Sequence, residues 1–281
     1  MPPNRGKTWI LLDVACLAYR AFYTTGGLAY GGEGTGVAYG VLRDILNLRS
    51  LFATGLFAFA FDSPASLRRD RYADYKADRK KRGTLPEAAG QLAKLRSQVS
   101  DLRIHHLPAL GYRNLYYQDG YEADDLLAAA VAALPSGDHA VIVTTDTDLY
   151  QLLSVQVVIW NPLKKEEITE QNFTDYYGVP PRAWVDVLAI AGCPTDNVTG
   201  VRNVGPRRAA DYVAGRLSPS SAAYRRIVVE YGRWSQNYPL VRLPYPGTLP
   251  VVLVDDREGI TSDKWDLVFQ RLGIRSLAYA P

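Results

Sequence analysis

Three carboxylates crowd the head of the segment GYEADDLLAAAVAAL, which runs over residues 120–134. They are Glu122, Asp124 and Asp125, and the Ala, Leu and Val residues behind them are typical of a helix that packs on a core. Acidic residues in a first helical turn suit the helix dipole, and Asp is a favourable cap, so one or two of these acids need no further role. The rest of the chain must decide between capping and ligand binding.

Other acidic residues stand where predicted strands end. TWILLDV ends in Asp13 and GLFAFAFDSP carries Asp62, while Asp146 and Asp148 follow the strand in HAVIVTTDTD. Each Asp taken alone is compatible with a turn. Glu122, Asp124 and Asp125 likewise follow a predicted strand, at 113–118. Four strand ends that share this pattern are better explained by a common site.

Short apolar segments that alternate with segments of helical spacing predict an α/β fold with a mostly parallel central sheet flanked by helices. Strand patterns fade after about residue 165. We therefore predict an α/β core over 1–165, a helical lobe over 166–240 and a C-terminal extension over 241–281 that packs on the core. Strands are predicted at 8–14, 55–64, 113–118, 155–160 and 249–254, and helices at 36–52, 85–102 and 262–272. Residues 138–153 are predicted to form a strand, followed by two Asp and a short helix.

The carboxyl ends of parallel strands lie at one edge of a sheet, where ligands of open α/β sheets bind. Seven carboxylates gathered there would repel one another strongly unless cations neutralise them. Oxygen ligands favour a hard ion such as Mg²⁺ or Mn²⁺. Two such ions about 4 Å apart activate water and stabilise the leaving oxygen of a phosphodiester.

A basic stretch, SLRRDRYADYKADRKKR, spans residues 66–82, with eight Lys or Arg against three Asp between residues 68 and 82. Such a charge run is often a solvated helix face. Here Tyr72 and Tyr75 interleave with the cations, a pattern that suits phosphate contacts and base stacking on single-stranded nucleic acid.

A second basic group lies in GVRNVGPRRAA, where Gly200 and Gly205 precede Arg207 and Arg208. A helix that begins behind a glycine turn offers free N–H groups to a phosphate. An ordinary helix–turn–helix is the alternative.

Composition excludes several other classes. No run of about 18 uncharged apolar residues predicts a membrane span, and Asp13 interrupts the apolar N-terminal stretch too early for a signal peptide. Two cysteines, Cys16 and Cys193, do not form a disulfide framework, which fits an intracellular protein. A net charge of +3 says little by itself.

Five stretches in this order resemble the structure-specific 5′ nucleases, a family that includes flap endonucleases, phage 5′ exonucleases and the 5′-nuclease domain of bacterial DNA polymerase I. They are LLDVACLAYRAF, AFDSPASLRRDRYADYKADRK, GYEADDLLA, TTDTDLYQLL and GVRNVGPRRAA, within about residues 8–240. The chain is too short to include a polymerase, so it resembles the free-standing form that phages encode.

The resemblance implies a PIN-like nuclease core, a helical arch over about residues 66–102 and a C-terminal lobe with a helix–hairpin–helix. It also implies a metal-dependent flap endonuclease and 5′-3′ exonuclease that cuts DNA at junctions of single strand and duplex and leaves a 5′-phosphate. The arch would admit a free 5′ strand, and the lobe would hold the duplex.

The resemblance carries roles over to individual residues. The implied metal ligands are Asp13, Asp62, Glu122, Asp124, Asp125, Asp146, Asp148 and Asp196. The implied catalytic residues are Tyr75, Lys76 and Arg79. The implied DNA-binding residues are Arg20, Arg68, Arg69, Arg71, Tyr72, Lys80, Lys81, Arg82, Gly200, Arg202, Gly205, Arg207 and Arg208.

The implied cofactors are two Mg²⁺ ions, for which Mn²⁺ can substitute, and a monovalent cation at the helix–hairpin–helix. The implied partner is DNA with a 5′ flap or a free 5′ end, and RNA strands such as primers stay open as substrates. A monomer in the cytoplasm of a bacterial or phage-infected cell is expected.

The sequence departs from the family at its last metal block, which usually reads G-D-x-x-D-N and here reads GCPTDN. Cys193 stands where the first acid is expected, and Asp196 where the second is. A lost carboxylate predicts a weaker second metal site, because a lone thiol suits Mg²⁺ poorly. Asn203 stands where the hairpin commonly has glycine, and Asn tolerates the left-handed conformation.

Other functions remain open at this point. A DNA-junction-binding protein that has lost cleavage through Cys193 is the main alternative, and an RNase of similar architecture is another. A flavodoxin-like or phosphotransfer protein also gathers Asp at strand ends, but it would need neither the basic tyrosine-bearing stretch nor the hairpin.

Overall fold

The computed structural model describes residues 6–77 and 86–279 of the chain. Among these residues the main sheet has the strand order β5-β4-β1-β6-β7-β8. The strands are β1 (Thr8–Asp13), β2 (Ala29–Tyr30), β3 (Glu33–Gly34), β4 (Phe57–Ala60), β5 (Leu115–Tyr116), β6 (His139–Val143), β7 (Val157–Asn161), β8 (Glu166–Ile168), β9 (Gly192–Cys193) and β10 (Val198–Thr199).

Helices cover both faces of the sheet and make up most of the remainder. They are α1 (Val14–Thr25), α2 (Gly36–Phe52), α3 (Leu67–Arg71), α4 (Pro86–Asp101), α5 (Leu107–Leu110), α6 (Ala123–Ala132), α7 (Glu170–Tyr177), α8 (Trp184–Ala191), α9 (Pro206–Val213), α10 (Ala222–Val229), α11 (Tyr231–Trp234), α12 (Tyr238–Val241) and α13 (Ser262–Arg271). Over the described residues, no helix is both long and apolar enough to cross a membrane.

The predicted α/β class and the mostly parallel sheet are confirmed. Strand β1 pairs in parallel with β4 and β6, and β5 and β7 extend the sheet in parallel on either side. Only β8, at the edge, is antiparallel among the strands of this sheet that the structure describes. Side chains of β1 are buried on both faces, as is usual for strands of a parallel sheet between two helical layers.

Two apolar clusters lie on opposite faces of the sheet. Trp9 and Leu11 of β1 face one cluster, whereas Ile10 and Leu12 face the other, because successive side chains of a strand alternate. The first cluster continues into α6, α8, α9 and α12, and the second contains residues of α1, α2 and α13. The predicted helical lobe therefore packs on the same cluster as one face of the sheet.

A buried ion pair joins three distant segments. Both terminal nitrogens of Arg68 in α3 donate to the carboxylate of Asp125 in α6, at 2.7 and 2.8 Å. The Arg68 Nε also donates to the Leu240 carbonyl, and the guanidinium lies 4.7 Å from the ring centroid of Tyr245. Asp125 accepts further hydrogen bonds from the backbone N–H groups of Tyr245 and Glu122.

This pair bears on two predictions from the sequence. Arg68 was expected to bind DNA, and Asp125 to act on the metal directly or through its neighbours, but they are only 3% and 0% exposed. Because Asp125 is fully buried and its charge is paired with Arg68, the structure favours a supporting role for Asp125 over direct contact with an ion. Its charge instead fixes the start of α6 against α3 and the C-terminal segment.

Several element boundaries also differ from expectation. The segment 249–254 was predicted as a strand but has no backbone ladder. Side chains hold it beside β5 instead: the Asn114 amide bonds both polar backbone groups of Val254, and the Tyr116 hydroxyl donates to the Val252 carbonyl. Strand β8 was missed, and the strand predicted at 113–118 shortens to two residues.

We predict that Arg68→Met lowers the free energy of unfolding by about 3–5 kcal/mol, because the substitution leaves the buried Asp125 carboxylate without its counter-charge. Urea denaturation followed by circular dichroism measures the change. Arg71→Met is the matched control on the exposed side of α3, and we expect a change within about 0.5 kcal/mol. Equal losses in the two variants would contradict the structural role of the pair.

Candidate active site at the carboxyl ends of the strands

Asp13 ends β1 and begins α1. Its Oδ1 accepts the backbone N–H of Cys16 at 3.1 Å, and its Oδ2 accepts the Thr144 hydroxyl at 3.0 Å. The carboxylate is therefore a helix cap and is also fixed in orientation at the sheet edge. The residue is buried, with 9% of its surface exposed.

The other strand ends place their acids around the same cavity. Asp62, after β4, accepts the backbone N–H of Ala123 at 2.8 Å. Asp146, after β6, caps the following 3₁₀ turn by accepting the backbone N–H of Asp148. An open cavity of about 770 Å³ is lined by Asp13, Asp62, Asp124 and Asp146 together with Lys76 and residues of α1. Parallel pairing of the strands brings these ends together although they are distant in sequence.

Glu122 and Asp196 face a cationic partner from the arch. The Lys76 Nζ lies 2.8 Å from Glu122 Oε1 and 3.5 Å from Asp196 Oδ2. Its backbone N–H donates to the Asp196 carbonyl, and it adopts a left-handed φ of 53°. Lys76 thus enters the site on a constrained backbone.

Tyr75 was expected in the arch as a catalytic residue that meets DNA. Instead it is buried, with 4% of its surface exposed, and its hydroxyl donates to Glu122 at 2.9 Å and to Asp196 at 3.3 Å. The ring packs in the apolar cluster under α6. Tyr75 therefore supports the carboxylates from below and does not face the cavity opening.

A second group of acids lies beside Cys193. The Cys193 thiol donates to the two Asp148 oxygens at 3.4 and 3.5 Å. Burial, reinforced by the Asp148 charge, raises the pKa of this thiol well above its ordinary value. In this structure Cys193 is therefore a hydrogen-bond donor to Asp148.

Burial and nearby carboxylates change the pKa values of several carboxyl groups in the site. Burial and the neighbouring Asp62 raise the pKa of Asp13 to about 7. Burial and Asp146 raise the pKa of Asp148 to about 7, and the same two causes raise that of Asp124 well above its ordinary value. Burial acts in the same direction on Glu122, but the charges of Lys76 and Arg68 outweigh it and lower its pKa.

These residues fit hard divalent cations. The donors are carboxylate oxygens, and burial together with neighbouring carboxylates raises the pKa values of Asp13, Asp124 and Asp148, an effect that a bound cation would offset. Among the described residues, no three such side chains already converge as ligands on one point. Lys76 instead neutralises part of the cluster.

The basic stretch divides into buried and exposed parts. Arg71 is exposed, and Arg69 and Tyr72 are half-buried. Their predicted contact with DNA stays a prediction. The predicted positions Arg79, Lys80, Lys81 and Arg82 lie outside the described residues.

The predicted hairpin joins α8 to α9. A Cβ atom at Gly200 would come within 2.0 Å of the Ala191 carbonyl oxygen, so glycine permits this close approach. Asn203 adopts the expected left-handed conformation, with φ of 61°. Gly205 is the cap residue of α9 and, as a glycine, contributes no side-chain capping hydrogen bond.

Arginines surround the hairpin. Arg202, Arg207 and Arg208 are exposed; Arg207 stacks on the Tyr176 ring at 4.4 Å, and Arg208 donates to the Asn203 carbonyl. Arg226 of α10 also donates to a hairpin carbonyl, that of Arg202. The expected monovalent cation would have to share these carbonyls with guanidinium groups, and it stays a prediction.

Sequence reasoning missed two supporting residues. Thr144 orients Asp13 through a hydrogen bond, and the sequence indicates it only as a polar residue directly after a buried strand. Asp44 Oδ1 lies 3.0 Å from Arg20 Nη2, and the sequence indicates Asp44 only as an acidic residue on the apolar face of α2. Arg20 itself lines the cavity, where the sequence placed a DNA contact.

We predict that the metal-free protein becomes less stable as the pH rises from about 5 to about 8. Asp13 and Asp148 have folded pKa values of about 7 against an ordinary value of 3.8, so the folded state holds extra protons in this window and loses them as the pH rises. Each pKa unit is worth about 1.4 kcal/mol. Urea denaturation in EDTA at several pH values measures the slope, which should flatten in Asp13→Asn/Asp148→Asn. A stability that rises with pH in the parent protein would contradict the assignment.

We predict that Lys76→Met lowers the melting temperature in EDTA and raises divalent-ion affinity several-fold, because the ammonium and an ion compete for Glu122 and Asp196. Calorimetric titration with Mn²⁺ measures the affinity, and thermal unfolding with and without Mg²⁺ measures the stability. Lys264→Met, on the exposed face of α13, is the control. A weaker ion affinity in Lys76→Met would show that the lysine does not compete with the ion.

Comparison with known proteins agrees with this geometry. The family model for the 5′-3′ exonuclease, N-terminal resolvase-like domain, matches residues 8–178. The chain is 36% identical over 221 residues to DNA polymerase I of Mycobacterium tuberculosis, a match that covers 75% of this chain and 23% of the polymerase. It is 32% identical over 206 residues to the 5′-3′ exonuclease of Aquifex aeolicus, with 72% of this chain and 68% of that protein covered.

The fold is also similar to that of T5 5′-exonuclease, solved with bound divalent metal ions (zinc). The TM-score is 0.70 at 17% identity, and the match covers 95% of this chain and 98% of that one. The family model alone covers more than half of the chain, and the Aquifex relative is matched over two thirds of its length. This chain therefore belongs to the 5′-3′ exonuclease family.

Proposed function

We propose that the chain is a divalent-metal-dependent, structure-specific 5′ nuclease that hydrolyses DNA phosphodiesters where single strand meets duplex. The observation that carries this proposal is the ring of acids from separate strand ends around one open cavity. Their raised pKa values mean that cations would relieve their repulsion. The chain spans less than a quarter of the length of the polymerase relatives that it matches.

We propose Mg²⁺ as the ion, with Mn²⁺ as a substitute, since carboxylate oxygens suit small hard cations. Asp13, Asp62, Glu122 and Asp124 would hold a first ion, and Asp146, Asp148 and Asp196 a second. Bound there, two ions would activate water and stabilise the leaving oxygen of the scissile phosphodiester. The divalent ions of T5 5′-exonuclease support a metal site in this fold.

The chain's own residues prepare this site. Thr144 and the Cys16 N–H fix both oxygens of Asp13, and the Ala123 N–H fixes Asp62. These carboxylates therefore need little rearrangement to act as ligands. Once ions take over Glu122 and Asp196, the Lys76 ammonium would be released toward the cavity, where it can stabilise charge on the phosphate.

Substrate handling would use two surfaces. The arch base, with Arg69, Arg71 and Tyr72, would contact a free 5′ strand, and the hairpin with Arg202 and Arg207 would contact duplex phosphates. Both surfaces read backbone shape and charge, not base sequence. Cleavage would leave a 5′-phosphate, and the activity would belong to the cytoplasm of a bacterial or phage-infected cell.

A DNA-junction-binding protein without robust cleavage is the second candidate, and Cys193 is the observation in its favour. Cys193 stands at a position where the family usually has an acidic residue, and its thiol donates a hydrogen bond to the Asp148 carboxylate. We propose that this weakens the second ion site without abolishing it, because Asp146, Asp148 and Asp196 remain.

We predict that the protein cleaves a labelled 5′-flap DNA near its junction and that Asp146→Ala lowers the rate about a hundredfold or more, through loss of a ligand. Cys193→Asp should lower the Mg²⁺ concentration for half-maximal rate. The control is Asp266→Ala, an exposed acid on α13, which should cleave like the parent.

The outcomes separate the candidates. Tight junction binding without cleavage in Mg²⁺ or Mn²⁺ would favour the binding protein. Cleavage by Asp146→Ala at the parental rate would contradict the assignment of the carboxylate ring as the active site. An unchanged Mg²⁺ requirement in Cys193→Asp would show that Cys193 does not weaken the second ion site.

A further inference from the structure

Asp44 is a charged residue on the buried face of α2. It lies among Val41, Ile45 and Leu48, which are buried in the second apolar cluster, and only 3% of its surface is exposed. Burial of an unpaired carboxylate is costly, so such a residue requires a partner of opposite charge. Asp44 is outside the carboxylate ring and is not needed as a ligand there.

The partner of Asp44 is Arg20. The Arg20 Nη2 lies 3.0 Å from Asp44 Oδ1, and the Arg20 Nη1 donates to the Pro162 carbonyl at 3.4 Å. The guanidinium is therefore held between α2 and the turn after β7. Arg43 approaches the same Asp44 oxygen less closely, at 3.5 Å, and lies over the Tyr39 ring.

The held guanidinium lies in the wall of the active-site cavity. Arg20 lines that cavity together with Asp13, and its side chain keeps 28% of its surface exposed. The two residues are seven positions apart on α1, which corresponds to about 10 Å along a helix axis. A guanidinium has five N–H donors, so the contacts with Asp44 and Pro162 leave capacity for a phosphate.

The second Asp44 oxygen, Oδ2, is buried and has no hydrogen-bond partner among the described residues. The carboxylate therefore depends on its arginine contacts for compensation. A flexible arginine without this anchor would populate many rotamers at the cavity wall, and ordering it on substrate binding would cost conformational entropy.

We propose that Asp44 is a positioning residue that fixes Arg20 in the cavity wall to bind a phosphate of the substrate strand next to the scissile one. This inference rests on the proposed nuclease function. Asp44 touches neither substrate nor ion in this role and acts through Arg20. The turn at Pro162 is the second support of the same guanidinium.

The test measures binding and turnover separately. Asp44→Asn keeps the shape of the side chain and removes its charge; Arg20→Gln removes the guanidinium; Arg43→Gln is the matched control for the second arginine. Fluorescence anisotropy in EDTA gives the dissociation constant for labelled 5′-flap DNA over a range of salt concentrations. Steady-state cleavage in Mg²⁺ gives KM and kcat.

We expect Asp44→Asn and Arg20→Gln to raise the dissociation constant and KM about tenfold, in line with loss of one charged hydrogen bond, while kcat changes less than about twofold. In both variants, the slope of the logarithm of the dissociation constant against the logarithm of salt concentration should fall by about one, which corresponds to the loss of one phosphate contact. The double variant should bind no more weakly than Arg20→Gln alone, since both act through one guanidinium. Arg43→Gln should bind like the parent.

Arg20→Lys provides a test that does not disturb the core. It keeps the charge but cannot span Asp44 and Pro162, so we expect it to bind about as weakly as Arg20→Gln. Parental affinity in Arg20→Lys, or additive losses in the double variant, would overturn the positioning role. If the parent protein neither binds nor cleaves the flap, the proposed function itself fails.

Discussion

The need to compensate buried negative charge governs this structure. Parallel strands deliver carboxylates to one edge, and burial there makes each uncompensated charge costly. The chain meets this constraint in several ways: Arg68 permanently neutralises Asp125, and Lys76 lies between Glu122 and Asp196. Around Asp13 and Asp148, burial and neighbouring carboxylates raise the pKa values, and a bound cation would offset this cost.

The same constraint separates residues that look alike in sequence. Asp124 and Asp125 are neighbours, yet one lines the cavity and the other is bound to an arginine beneath it, because successive helical residues point about 100° apart. Arg68 and Arg71 likewise diverge on one short helix, one buried and one exposed. Charge density alone therefore does not identify a DNA-binding surface; the direction of each side chain decides.

Local patterns predicted the local features well. Helix α2 spans residues 36–52 as its apolar spacing indicated, and the strand ends at Asp13, Asp62 and Asp146 lie around one cavity, as alternation of strands and helices implied. The partners of Arg68, Tyr75 and Arg20 could not be predicted, because each contact joins residues far apart in the chain. The segment 249–254 looked like a strand because it is apolar, but side-chain amides and a hydroxyl hold it without a ladder.

The late position of Leu240 and Tyr245 has a consequence for assembly during translation. Arg68 is synthesised 172 residues before the Leu240 carbonyl that it binds, and Asp125 precedes the Tyr245 N–H by 120 residues. On the ribosome the nascent sheet would thus carry an arginine–carboxylate pair still open to water, with the last hydrogen bonds missing. The head of α6, which carries Glu122 and Asp124, would therefore gain its last anchoring hydrogen bonds only after residues 240–245 emerge.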